Sequence, residues 1–232
     1  MKKILLLSLL AISILPVFAQ TSIGVIGGYN LAWRYPKNPQ QAGTQDYSLK
    51  PRWRAGLITD HHLWKKLYLQ PQLLLNTKGF HEKASSIGAP GTFDYATERD
   101  LRVLYLEIQA NFLLKERLGN GKLFLGAGPY LARGITGRSK AKGFSSLGGQ
   151  RTDYDMQVPV KFSNEVVYNT PNVYEKHYDA GLNFLAGYEL KNGLFFNAVY
   201  SLGLTNLYYD DNYKSKNTYV GLSVGYFFKR FN

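Results

Sequence analysis

Thr218 to Phe228, TYVGLSVGYFF, is the stretch that most restricts what the chain can become. With a two-residue period, Thr218, Val220, Leu222, Val224, Tyr226 and Phe228 fall on one face, and Tyr219, Gly221, Ser223, Gly225 and Phe227 on the other. Eleven residues with one apolar row ending in aromatics match a tilted strand that crosses a bilayer. A lone strand cannot satisfy its backbone in lipid, so the rest of the chain has to close a barrel around it.

The beginning of the chain fits that destination. Met1-Lys2-Lys3 precedes the apolar run Ile4 to Val17, and Val17-Phe18-Ala19 stands before Gln20. Residues 1–19 read as a removable secretory signal, leaving 20–232 as one barrel domain. The chain has no cysteine, which excludes a disulfide framework, a lipidated cysteine and a thiolate metal site. No later run reaches the length of a helical span, so membrane entry means a barrel. Loss of Lys2 and Lys3 takes 28 basic residues to 26 against 16 acidic ones, a formal charge of +10. These positives are scattered without a basic-aromatic repeat, so nucleic acid is not expected as a partner. Outer-membrane lipid, with its anionic head groups, and neighbouring envelope proteins are.

Alternation recurs along the whole chain. Ile23, Val25, Gly27, Tyr29, Leu31 and Trp33 share an outer face. Trp53, Ala55, Leu57 and Thr59 do the same, as do Leu67, Leu69, Leu73 and Leu75, where Pro71 in the apolar row predicts a bulge or bend. The segment 101–118 has a partial helical stripe, but a strand places more residues, with Leu104, Leu106, Ile108, Ala110, Phe112 and Leu114 outward. Leu123 to Leu131, Tyr178 to Tyr188 and Phe196 to Leu204 complete the set, with tight turns at Gly119-Asn120-Gly121 and Lys191-Asn192-Gly193. Gly126, Gly128, Ala132 and Gly134 leave room inside for large neighbours. The pattern predicts an all-β, antiparallel, up-and-down transmembrane barrel of about eight strands. Both ends and the short turns lie in the periplasm, and the long loops 34–51, 80–101 and 135–176 lie outside.

LQPQLLLNTKG at 69–79, LEIQANFLLK at 106–115, LFLGAGPYLA at 123–132, DAGLNFLAGYEL at 179–190, YSLGLTNL at 200–207 and VGLSVGYFF at 220–228 together resemble the outer-membrane β-barrel family that includes the PorT-like proteins of Gram-negative envelopes. The resemblance implies an integral outer-membrane protein and, for PorT itself, a part in a secretion apparatus. One departure is Val199, where the family pattern commonly has an arginine before YSLGLTN.

Chemistry is sparse. The inward rows carry Arg54, Asp60, Lys78, Glu107, Asp179 and Glu189, which predict a buried ion-pair network in a lumen that side chains fill. His61 and His62 are adjacent and would point to opposite faces, while His81 and His177 lack ligand spacing and read as solvated. The loop acids Asp94, Asp153, Asp155, Asp210 and Asp211 are the only basis for a hydrolase or acyltransferase reading, and no histidine or serine motif accompanies them. Trp33, Trp53 and Trp64 suit aromatic girdles. The expected sites are therefore catalytic none, cofactor none and metal none. The leading expectation is a non-enzymatic scaffold or accessory protein, with the PorT-like role in protein secretion that the resemblance implies, and the rival is a narrow small-solute channel or ligand-binding barrel.

Overall fold

The computed structural model describes residues 21–34, 44–86, 93–163, 165, 170, 172–208 and 215–229. The proposed signal 1–19, residues 35–43 of the expected loop 34–51, and Asp210 and Asp211 lie outside the described residues. Eight strands close a ring: β1 (Thr21–Arg34), β3 (Lys50–Trp64), β4 (Leu67–Ser86), β5 (Asp94–Leu118), β6 (Gly121–Leu147), β9 (Tyr178–Leu190), β10 (Leu194–Gly203) and β11 (Asn217–Lys229). Each pairs antiparallel with the next, and β1 pairs with both β3 and β11, which leaves the ring without an edge. The segment 101–118 is strand throughout.

Side-chain alternation sets the two faces. Tyr29, Leu57, Ile108, Leu125, Phe184, Leu222 and Phe228 are exposed on the outside, while Asn30, Arg54, Gln72, Glu107, Asn183 and Tyr219 are buried inside. Outward apolar and inward polar is the arrangement a lipid solvent selects. The short connections at Lys65-Lys66, Gly119-Asn120 and Lys191 to Gly193 mark one end, together with the start of β1 and the end of β11. Trp64 stands at that end, and Trp33 and Trp53 at the other, as two interfacial girdles require. The inward glycines do make room. A Cβ on Gly225 would run into the Phe195 ring, and one on Gly126 into Leu113.

Two expectations need correction. Pro71 causes no bulge: it pairs in register with Ala110, and on its other side the β3 ladder omits Thr59 and Asp60 and resumes unshifted at His61 and Leu69. The irregularity between β3 and β4 falls instead at His62 to Trp64, beside the turn.

The stretches 80–101 and 135–176 are also not loops in the main. β4 and β5 stay in register out to Ser86 and Tyr95. β6 runs on to Leu147, turns through Gly148-Gly149, and returns as β7 (Gln150–Phe162). Both turn glycines have positive φ, 58° and 84°, as a two-residue hairpin with the twist of its strands demands. β2 (Thr44–Ser48) pairs with the far part of β4, and β8 (Val173–Glu175) pairs parallel to β7. At about 3.3 Å per residue, the part of β6 beyond Gly134 projects about 40 Å from the barrel. Outside lipid both faces of a strand meet water, so the apolar alternation that reveals strands in the belt is absent there.

Candidate functional site: the barrel lumen

All six inward charges singled out from the sequence are buried. They do not form one network: five of them, with Lys115, make two lysine-centred triads, and Lys115 was missed. Near the extracellular end, Lys78 Nζ lies 2.6 Å from Glu107 Oε2 and 3.1 Å from Asp179 Oδ2. Tyr130 faces the ammonium at 4.0 Å from its ring centroid and donates its hydroxyl to Asp179 at 3.2 Å. Asn217 donates to the same carboxylate at 2.8 Å, while Asn76 and Gln109 donate to Glu107 at 3.2 and 2.6 Å. Each carboxylate therefore has two neutral donors besides the shared lysine.

At the periplasmic end Lys115 Nζ bridges Asp60 Oδ2 at 2.7 Å and Glu189 Oε2 at 2.8 Å. Its place on the inward row with Tyr105, Glu107, Gln109 and Asn111 was the signal for it. The aromatic faces of Tyr68, Phe124 and Phe227 surround it. Along the β4–β5 wall between the triads runs a ladder of amides, Gln72 to Gln70, Asn111 to Gln109 and Gln109 to Glu107. Against that wall packs an apolar cluster including Ile58, Leu74, Leu113, Phe124, Leu185 and Phe195, none more than 4% exposed.

A third pair caps the extracellular end. Arg34 forms a two-pronged pair with Glu175 of β8, and Asn217 accepts from its Nε at 2.5 Å. Tyr105 adds a hydroxyl to Glu175 at 3.4 Å. Arg54 is different. It donates to Ser223 at 2.6 and 2.9 Å and to Asn197 at 3.3 Å, and among the described residues no carboxylate stands within ion-pair distance. Val199, two residues along the same strand from Asn197, is buried in the apolar cluster.

The histidines separate as their sequence position predicts only in part. Thr21 Oγ1 meets His61 Nδ1 at 2.8 Å, and His62 Nε2 contacts the Lys65 carbonyl at 2.9 Å, on opposite faces. His81 is not solvated: it is 4% exposed and stands 3.2 Å from Glu98, because β4 continues past it as strand. His177 lies against Phe162. Asp94 opens β5, while Asp153 and Asp155 lie on β7, where Asp153 pairs with Arg151 at 2.7 Å. Among the described residues no three His, Cys, Asp or Glu side chains come together as a metal site.

The model of the outer membrane protein β-barrel domain family matches residues 18–209. Among solved structures, Neisserial surface protein A is similar at 12% identity, over 90% of this chain and 99% of that one, with a TM-score of 0.38. Ail, the attachment invasion locus protein of Yersinia pestis, is similar at 13% identity, over 89% and 99%, with a TM-score of 0.33. An outer membrane channel of Pseudomonas putida F1 follows at 11% identity, over 90% and 96%, with a TM-score of 0.29. No curated protein matches the chain.

Proposed function

Since the chain belongs to the outer membrane protein β-barrel domain family, we propose that this outer-membrane barrel is a non-enzymatic, non-conducting scaffold whose work is done by the sheet that extends from it. The observation that carries this reading is the filled lumen. Ion-paired lysines stand at both ends, and a dry cluster led by Phe124 and Phe195 packs between them, so an ion crossing the barrel would have to displace buried, mutually satisfied groups. A channel needs a hydrated path instead. The projecting β4–β7 sheet offers a partner a long, rigid surface. A PorT-like part in protein secretion is one form of this role and rests on the resemblance of the barrel strands alone. Export by a cleaved leader of residues 1–19 belongs to the same proposal, and N-terminal sequencing of the mature protein tests it.

Two measurements test the scaffold. Purified protein in planar bilayers should give no discrete conductance steps; reproducible steps would replace the scaffold with a narrow channel. In cells, crosslinked complexes should be lost when residues 140–157 are replaced by a Gly-Gly turn, while the barrel keeps its heat-dependent gel shift. Complexes that survive the replacement would remove the extension from the role.

A further inference from the structure

Immediately beyond the apolar belt, the outer wall of β5 and β6 changes from aliphatic to cationic. Leu104 and Ile135 are the last outward aliphatic side chains on these strands, and Arg102 and Arg138 follow them. Both face away from the lumen, because the alternate positions Leu101, Val103 and Ser139 are buried inside it. In the antiparallel ladder Arg102 and Arg138 are directly opposed, and the next pair is Asp100 with Lys140. Like charges opposed across a ladder are destabilising unless something of opposite sign lies between them.

Among the described residues no ion pair takes up Arg102 or Arg138. Asp100, the next outward residue of β5, is already held by Arg52 at 2.5 Å. Arg102 thus meets like charge from Arg52 and Arg138 against the attraction of Asp100 alone. Lys142 is satisfied separately by Glu98 at 3.1 Å. Arg52 is 4% exposed, and its Nε, like the buried Nε of Arg102, has no hydrogen-bond partner. An orphaned guanidinium N–H in a buried position costs free energy that a bound acceptor would recover. Beside Arg138, on the side of its ladder partner Arg102, lies a groove of about 600 Å³ lined by Arg102, Arg52, Lys50 and Lys140, with the carboxylates Glu98, Asp100 and Asp155 also in its wall.

We propose that this groove is a binding site for a phosphate group of an outer-leaflet lipid, held between Arg102 and Arg138 with Arg52 and Lys140 beside it. A phosphate offers several acceptor oxygens and a charge that neutralises two arginines at once, and guanidinium groups meet it through paired N–H donors. The height of the site suits a lipid rather than a soluble anion, because it begins one outward residue past the aliphatic belt, where head groups stand. The inference uses the outer-membrane placement of the chain and not the scaffold reading.

The test is native mass spectrometry of the full-length protein in detergent, titrated with diphosphorylated lipid A, with its dephosphorylated form and with inorganic phosphate. Wild type should bind the diphosphorylated lipid at least tenfold more tightly than the dephosphorylated one. Arg102→Ala/Arg138→Ala should lose that preference while keeping the gel shift of a folded barrel. Arg102→Lys/Arg138→Lys, which keeps the charge without the planar donors, should fall between. Equal affinity of the alanine variant and wild type would overturn the site. An affinity for inorganic phosphate equal to that for the lipid would overturn the lipid as its source.

Discussion

Lys78→Met is the substitution that weighs the lumen most directly. Lys78, Glu107 and Asp179 are each no more than 1% exposed, and among the described residues the lysine is the only cation within ion-pair distance of either acid. Methionine keeps the length of the side chain and its contact with the rings of Tyr105, Tyr130 and Tyr219 but leaves two carboxylates facing each other. Removing one member of a buried ion pair costs about 3–5 kcal/mol, because the stranded charge has already lost its water. The neutral donors Asn76, Gln109, Tyr130 and Asn217 remain, which places the loss inside that interval rather than above it. Lys78→Met/Glu107→Gln/Asp179→Asn removes every charge of the triad at nearly constant volume, and its loss should be within about 1 kcal/mol of zero, since uncharged replacements of buried ion pairs are often neutral. Urea unfolding in phosphatidylcholine vesicles, followed by the fluorescence of Trp33, Trp53 and Trp64, measures both. A loss under about 1 kcal/mol for Lys78→Met alone would mean that water reaches the carboxylates. The dry lumen, and with it the non-conducting reading, would then fail.

Four further perturbations separate belt, core and extension. Gly225→Ala should cost about 1–3 kcal/mol in the same assay, since its Cβ would overlap the Phe195 ring and lie 2.6 Å from the Val25 carbonyl, both in a packed wall. Leu222→Arg, at a position 71% exposed in the middle of the outward row of β11, should cost about 2–4 kcal/mol in vesicles. Arg151→Ala, on the exposed hairpin, should stay within about 0.5 kcal/mol. Gly148→Ala meets no atom within 4 Å yet forces a side chain onto φ +58, a local cost of about 1 kcal/mol. It should speed amide exchange along 139–158 without moving the barrel's unfolding midpoint, and Gly148→Asn should largely spare both.

The legible and illegible parts of this chain divide at the membrane surface, and the reason is the solvent. Inside the belt every strand has lipid on one side and a filled lumen on the other, so Leu104 to Leu114 and Val220 to Phe228 alternate cleanly and their faces can be assigned by parity alone. The same parity located Arg54, Asp60, Lys78, Glu107, Asp179 and Glu189. What parity does not carry is partner choice: Lys115 joins Asp60 to Glu189 across 55 and 74 residues of sequence, a pairing set by which strands meet in the ring. Beyond the belt the signal disappears. Residues 137–147 and 150–160 hold an unbroken ladder with water on the outer face, so serine, lysine and glycine serve as well as valine there, and the twin glycines at 148 and 149 were the one local mark of the turn.

That boundary also explains why the two candidate functions sit where they do. A lumen closed by two triads and an apolar cluster has every buried charge paired or hydrogen-bonded within itself, so it presents little for a solute to exchange with. The opposed Arg102 and Arg138 on the outer wall are the reverse case, charges placed together with no ion-pair partner among the described residues. A protein that satisfies two carboxylates around each of two buried lysines does not lack the means to pair a surface arginine, since an acid at either position of the pair would do so at no cost in strand geometry. Two arginines at this height therefore favour an anion supplied from outside the chain, and the outer leaflet presents one at that level on every phosphorylated lipid.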